Sequence, residues 1–148
     1  MGQLNGKEDL GAVVTIVVDE KTGWLTLVMD PAKPKPHYWK FPGGKVAQED
    51  IVQAHPFDDE LTADNAALRE TKEETGLGVQ IIKRLKPVQK RGHTLYPRIG
   101  LANFEELVAA GEEGEIVKAF SLEEIYELDN FMPNHIPFLE AMLAFLDV

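Results

Sequence analysis

The sequence of 148 residues contains no cysteine, which excludes disulfides, thiolate metal ligands and thiol nucleophiles together. It has no apolar run near the roughly 18–20 residues that a membrane-spanning helix needs, so no membrane partner is expected. The N-terminal stretch MGQLNGKEDLGAVV lacks a basic segment leading into an apolar run, so no secretory leader is expected. These absences predict a cytoplasmic enzyme or binding protein. Basic charge is scarce at one end: residues 103–148 hold Lys118 alone against 11 acidic residues. The whole chain has 15 basic and 25 acidic side chains, so residues 1–102 balance at 14 against 14 and the net charge of −10 falls in the last third. A chain this acidic is not expected to hold duplex nucleic acid.

What is present is ordinary globular material, with 44% hydrophobic and 27% charged residues. The length predicts one domain over residues 1–148, burying about two-thirds of its unfolded surface. One basic cluster stands out: Lys83, Arg84, Lys86, Lys90, Arg91 and Arg98. It reads either as solvated strand faces or as a positive rim for phosphates, and a small anionic ligand fits it better than a nucleic acid duplex.

Residues 11–19, GAVVTIVVD, form a continuous β-branched run, as a strand buried on both faces would. EKTG turns the chain and residues 24–30, WLTLVMD, predict a hairpin partner. PAKPKP at 31–36 is a loop, and HYWKFPGGK after it is extended and ends in a glycine pair. Residues 46–61 read as acidic and irregular, with a break at His55-Pro56. A helix is expected over 62–75, with Thr62 as N-cap, Asp64 at the positive end of the dipole and Gly76 at C′. Further strands are expected at 78–86, 93–104 and 115–120. SLEE at 121–124 is a capping box opening a short helix. A last helix from about Pro133 places Ile136, Leu139, Leu143 and Leu146 on one side, a stripe better suited to the core than to a partner.

LRETKEETGL, residues 68–77, puts Glu70, Glu73 and Glu74 on one patch of a helix. Like charges at these spacings cost an isolated helix roughly 0.2–0.5 kcal/mol each. Three glutamates alone are more often solvated surface than a site. Here, however, a strand ending in Phe41-Pro42-Gly43-Gly44-Lys45 precedes the helix. Glycines allow close backbone approach to a ligand. Oxygen-only ligands suit a hard cation such as Mg²⁺ or Mn²⁺, and a carboxylate-bound cation facing a glycine loop suits chemistry on a phosphate.

GGK followed by RETKEETGL resembles the Nudix box, G-x5-E-x7-R-E-U-x-E-E-x-G-U, with U a bulky aliphatic residue. Arg69, Glu70, Glu73, Glu74, Gly76 and Leu77 fall on its second half and Gly44 on its opening glycine. WKFPGGK and the downstream FSLEEI are also similar to the family, so the resemblance spans the chain. It departs in three places. Gly44 and Arg69 are 25 positions apart where the pattern has 14, an insertion of 11. The first glutamate has two candidates, Asp50 at the x5 spacing and Glu60 nearest the helix. Thr71 replaces the aliphatic residue.

The resemblance implies a Nudix-like α/β/α sandwich with a mixed central sheet. It implies hydrolysis of a pyrophosphate bond in a nucleoside diphosphate-linked substrate. By the same resemblance Glu70, Glu73 and Glu74 hold Mg²⁺ or Mn²⁺, with the Gly43 carbonyl a further ligand. The base is Glu73 or, in the loop AAGEEGEI, Glu112, Glu113 or Glu115, with Glu113 favoured. Arg69 would orient a carboxylate through its fork. Gly44, Lys45, Arg91 and Arg98 are the expected phosphate-side contacts, and Trp39 is either a base platform or packing. Tyr96, 19 residues after Leu77, favours a nucleotide or dinucleoside polyphosphate. Pro87 and Pro97 miss the position that marks ADP-ribose-type members, so ADP-ribose or another nucleotide sugar is the alternative substrate class. A homodimer is compatible with the family. Two other readings stay open: a non-catalytic nucleotide-binding or sensor domain, and an unrelated acidic α/β protein.

Overall fold

A computed structural model describes residues 10–52 and 59–146. β1 (Ala12–Asp19) and β2 (Leu25–Met29) form the expected hairpin, with Val18 opposite Leu25. β3 (Gly43–Lys45) pairs antiparallel with the other end of β1, setting Gly44 opposite Val13 and Gly43 opposite Val14. α1 (Asp59–Thr75) is followed by β4 (Gln80–Arg84), β5 (Val88–Lys90) and β6 (His93–Ala102). β7 (Ile116–Phe120), α2 (Leu122–Glu127) and α3 (Ile136–Leu146) complete the chain. The main sheet order is β4-β6-β1-β2-β7, with β3 beside β1 and β5 beside β6. β6 runs parallel to β1 and the other pairings are antiparallel, so the sheet is mixed.

The unbroken apolar run of β1 follows from its two covers. Val14, Ile16 and Val18 face Leu25, Leu27, Phe41, Ile99 and Phe120, under Ile125 of α2 and Phe138, Leu139 and Met142 of α3. Val13 faces the other way, onto Ala63, Ala66 and Ala67 of α1. Burying each large aliphatic side chain in such a layer contributes about 1.5–3 kcal/mol. The small residues of α1 let that helix lie close to the sheet, which brings its later glutamates near β3.

Three expectations about local structure need correction. α1 begins at Asp59, so Thr62 lies inside the helix and is not its cap; Asp59 and Glu60 occupy the first turn, where carboxylates favour the dipole. β5 is a separate three-residue strand between the strands expected at 78–86 and 93–104, held by pairing with β6. α3 is preceded by a 3₁₀ turn at Pro133–His135; Leu139, Leu143 and Leu146 pack into the core as expected, with Phe138 and Met142 beside them, whereas Ile136 is exposed. The Ser121–Glu124 capping box forms as expected. The His55-Pro56 break lies outside the described residues.

Candidate active site

α1 is closed at Gly76, whose φ of +78° is the left-handed turn that favours glycine. Its N–H donates to Lys72 O at 2.9 Å. The following loop is tied back to this end of the helix: Val108 N–H donates to Thr75 O at 3.1 Å and Glu112 N–H to Glu73 O at 3.0 Å. These bonds fold the acidic loop onto the acidic helix. The result is a small cavity of about 60 Å³ lined by Glu70, Glu73, Glu74, Glu112, Glu113 and Glu115. It has room for small ions and water, not for an organic ligand.

Arg69 organises the helix side. Its Nε and Nη2 donate to the two oxygens of Asp50, both at 2.9 Å, and Asp50 is buried in a 3₁₀ turn at Gln48–Asp50. Nη1 donates to Glu70 at 2.8 Å and, more weakly, to Glu73 at 3.3 Å, while Nη2 also reaches Lys45 O at 3.1 Å. Asp50, the candidate at the x5 spacing, is therefore the carboxylate clamped by Arg69. Glu60, the other candidate, faces a different arginine. The Asp50 hydrogen bonds are the main reason the Arg69 guanidinium holds its proton more tightly than usual.

Burial dominates the electrostatics of the glutamates. It pushes the Glu74 carboxyl up to about 8, helped by the adjacent Glu70 charge. It also raises Glu70, against the opposing pull of Arg69. The interaction between the two side chains lowers Glu70 and raises Glu74. Gly43 N–H adds a long contact of 3.4 Å to Glu74. A Cβ at Gly44 would displace the Glu70 carboxylate, whereas one at Gly43 would meet the Val13 backbone carbonyl, so it is at Gly43 that only glycine lets β3 lie this close to β1.

Among the described residues no three His, Asp or Glu side chains are already gathered as a metal ligand shell. Glu70 and Glu73 are turned towards Arg69, and Glu74 towards Glu70. The donors nevertheless fit a hard divalent cation: all are carboxylates, several are poorly hydrated, and they line a cavity of ionic dimensions. Side-chain rotation away from Arg69 would bring them onto a common ion.

The remaining predicted residues divide. Glu113 lines the acidic cavity. Gly43, Gly44 and Lys45 line a second cavity of about 230 Å³ beside it, together with Lys40, Phe41 and His135. Lys40 and His135 went unnoticed in the sequence, because only the fold brings residues 40 and 135 together. Phe41 N–H donates to His135 Nδ1 at 3.1 Å, and the rings stack at 5.7 Å. Burial, then Lys40, lowers the imidazole to about 4, so His135 is neutral with Nε2 protonated.

Arg98 is elsewhere. It is fully buried under the first half of α1, with Nε on Asp64 and Nη2 on Glu60, both at 2.6 Å. Its position opposite Thr15 in β6 points it into the α1 layer, so it is not at the acidic cavity. Arg91 lies exposed in the β5–β6 turn. Tyr96 lines a different cavity, with Leu10, Asp59 and His93, and packs against the Val13 cluster. The feature that favoured a polyphosphate substrate is thus not beside the glutamates. Trp39 meets Phe120 edge-on at 4.9 Å and is a packing residue.

A mixed sheet covered on both faces, with a glycine strand against a glutamate helix, is the architecture that the resemblance to the Nudix box implies. The NUDIX domain family matches residues 9–142. The chain belongs to the Nudix family, as an enzyme of the Nudix pyrophosphohydrolase type. The unrelated acidic α/β reading is thereby overturned. No curated protein matches the chain. Among solved structures, it is similar to the NUDIX domain of Shewanella oneidensis NrtR in complex with ADP ribose, at 19% identity and TM-score 0.71, covering 95% of this chain and 90% of that one. It is also similar to a NUDIX-family hydrolase from Clostridium perfringens, at 18% identity and TM-score 0.67, covering 91% and 96%. A structure from a study of MutT from Aliivibrio salmonicida and Vibrio cholerae matches at 19% identity and TM-score 0.63, covering 90% and 96%. No helix among the described residues is long and apolar enough to cross a membrane.

Proposed function

We propose that this chain hydrolyses the pyrophosphate bond of a nucleotide substrate with Mg²⁺ or Mn²⁺ held by Glu70, Glu73 and Glu74. The observation that carries the proposal is the six-glutamate cavity closed onto the glycine strand. A bound cation would supply charge neutralisation for the pyrophosphate and acidify a water. Arg69 keeps Glu70 and Glu73 poised at the cavity rim while Asp50 fixes the guanidinium. Lys45 and the backbone of Gly43 and Gly44 border the space that the phosphates enter. Glu113, whose carboxylate takes no ion-pair partner among the described residues, is the base that removes a proton from the attacking water. Glu73, already drawn towards Arg69, is a ligand in this arrangement. The oxygen of that water bonds to phosphorus as the bridging oxygen leaves with its phosphate.

The test is product release from nucleoside triphosphates, dinucleoside polyphosphates and ADP-ribose, with Mg²⁺ and with EDTA. Metal-dependent turnover that falls at least about 100-fold in Glu113→Gln is expected, since general bases contribute about 10²–10⁴-fold. Mn²⁺ binding should survive in that variant. Wild-type rates in the Glu73→Gln/Glu74→Gln double variant would overturn the metal assignment. Absence of turnover across the panel would overturn the catalytic reading.

A further inference from the structure

Six glutamates line the acidic cavity, and the proposed reaction uses the carboxylates of Glu70, Glu73 and Glu74 on the cation and of Glu113 on the water. Glu112 is tied in by its backbone, through the bond to Glu73 O. Glu115 has no task so far. Its charge is unfavourable where it stands, because it opposes ionisation of the buried Glu74. The way the loop is built around it gives a reason for its presence.

Residues 109–117 form a small hairpin whose second arm is the start of β7. Ala110 bridges antiparallel to Ile116, and Val117 N–H donates to Ala109 O at 3.0 Å. Gly111 N–H donates to Glu115 O at 2.9 Å and Gly114 N–H to Gly111 O at 3.1 Å, which closes a tight turn with Glu113 at its tip. Gly114 has a φ of +89°, a left-handed conformation that glycine adopts without strain. The arms are fixed on two sides, since β7 pairs with β2 while Val108 and Glu112 bond to the last turn of α1. The tip itself is exposed at Glu112, Glu113 and Gly114. It is held from inside by Glu115, whose Oε1 accepts from Glu113 N–H at 3.2 Å. Gly111 makes room for this contact: the Glu115 carboxylate lies against it, and a Cβ there would overlap Oε1 and crowd Glu74 O. The Glu115 side chain is thus folded into the turn, between its tip and the end of α1, as a local side-chain cap on the backbone.

We infer that Glu115 is a positioning residue, whose carboxylate serves as a hydrogen-bond acceptor inside the turn and holds the backbone of Glu113 so that the Glu113 side chain stays on the acidic cavity. The inference rests on the proposed role of Glu113 as base and deepens it. This task needs an oxygen and not a charge. An amide oxygen in the same place can therefore perform it, whereas a ligand of a hard cation or a general base at this position needs the carboxylate itself.

Two variants separate these roles, because glutamine keeps an acceptor oxygen and alanine does not. In the metal-free protein in EDTA, exchange of the Glu113 amide with water is followed by NMR. It should rise at least about threefold in Glu115→Ala and return to within about twofold of wild type in Glu115→Gln, the size expected for one partly exposed hydrogen bond. With Mg²⁺ and a nucleotide that the protein hydrolyses, Glu115→Ala should lower kcat at least about threefold at unchanged KM, and Glu115→Gln should recover it. Mn²⁺ binding should weaken by less than about tenfold in either variant, the effect of one lost neighbouring charge. Three results would each overturn the inference. A loss of Mn²⁺ affinity of about tenfold or more in Glu115→Gln would make Glu115 a ligand. A kcat in Glu115→Gln as low as in Glu113→Gln would make it a base. Unaltered exchange of the Glu113 amide in Glu115→Ala would remove the contact. If the wild-type protein hydrolyses no nucleotide, the catalytic reading fails by itself, and the amide exchange still decides whether Glu115 holds the tip.

Discussion

Replacing Arg98 by alanine would leave Glu60 and Asp64 facing a space that no other described cation but Arg84 adjoins. Breaking a buried ion pair from one side costs about 3–5 kcal/mol. Glu60 is partly exposed, so a loss of about 2–4 kcal/mol is expected for Arg98→Ala, read from the denaturant midpoint. The KM of the folded fraction should not change, because Arg98 lies in the α1 layer; a raised KM would return it to the substrate. Asp50→Ala acts differently. It releases Arg69 from its two-point clamp, so the guanidinium no longer keeps Glu70 and Glu73 poised at the cavity rim. A fall in kcat of at least about tenfold and weaker Mn²⁺ binding are expected, checked by kinetics and metal titration. The sequence distinguishes these arginines only in part. Arg69 is legible because its neighbours are patterned, and Asp50 because of its spacing. The role of Arg98 depends on which strand face it occupies, and local sequence alone does not assign that face.

At the scale of elements, the site is the meeting of β3, α1 and the loop before β7. Gly44→Ala tests that meeting, since the added methyl would sit on the Glu70 carboxylate. Either β3 moves out or Glu70 moves away, and in both cases cation-dependent stabilisation should be lost while the hydrophobic core persists; circular dichroism with and without Mn²⁺ separates the two effects. β1, β2 and the capping box of α2 are legible because their signals are local: a β-branched run, a turn, a reciprocal pair of side chains. β5 is not, because three residues carry too little pattern and the strand exists only by pairing with β6. The start of α1 is not legible from Thr62, a good local cap, because the carboxylates of Asp59 and Glu60 in the first turn serve the same end three residues earlier. Thr71, in the position where the family has an aliphatic residue, is fully buried with an unpartnered hydroxyl. Thr71→Val should therefore stabilise the fold, by about 1 kcal/mol, as a higher unfolding midpoint.

For the whole molecule, two buried groups set opposite limits on pH stability. His135 has a folded value lowered to about 4 from an unfolded value near 6.5. The unfolded chain thus binds more protons between those values, and stability is lost as pH falls through that window, by about 2–3 kcal/mol. Glu74 is the reverse, a carboxyl raised to about 8 in the fold. There the folded state binds more protons from the ordinary carboxylate range upward, so stability falls as pH rises towards 8. The metal-free protein should therefore be most stable in mildly acidic solution. His135→Gln should flatten the acid limb alone. A divalent cation opposes this loss directly, because its charge offsets the cost of a buried, ionised Glu74 beside Glu70. Mg²⁺ or Mn²⁺ should accordingly raise the unfolding temperature more at pH 8 than at pH 6. The excess should vanish in Glu74→Gln, whose neutral side chain has no charge for the cation to compensate. Equal cation stabilisation at the two pH values would show that the charge stored at the end of α1 is not what the cation neutralises.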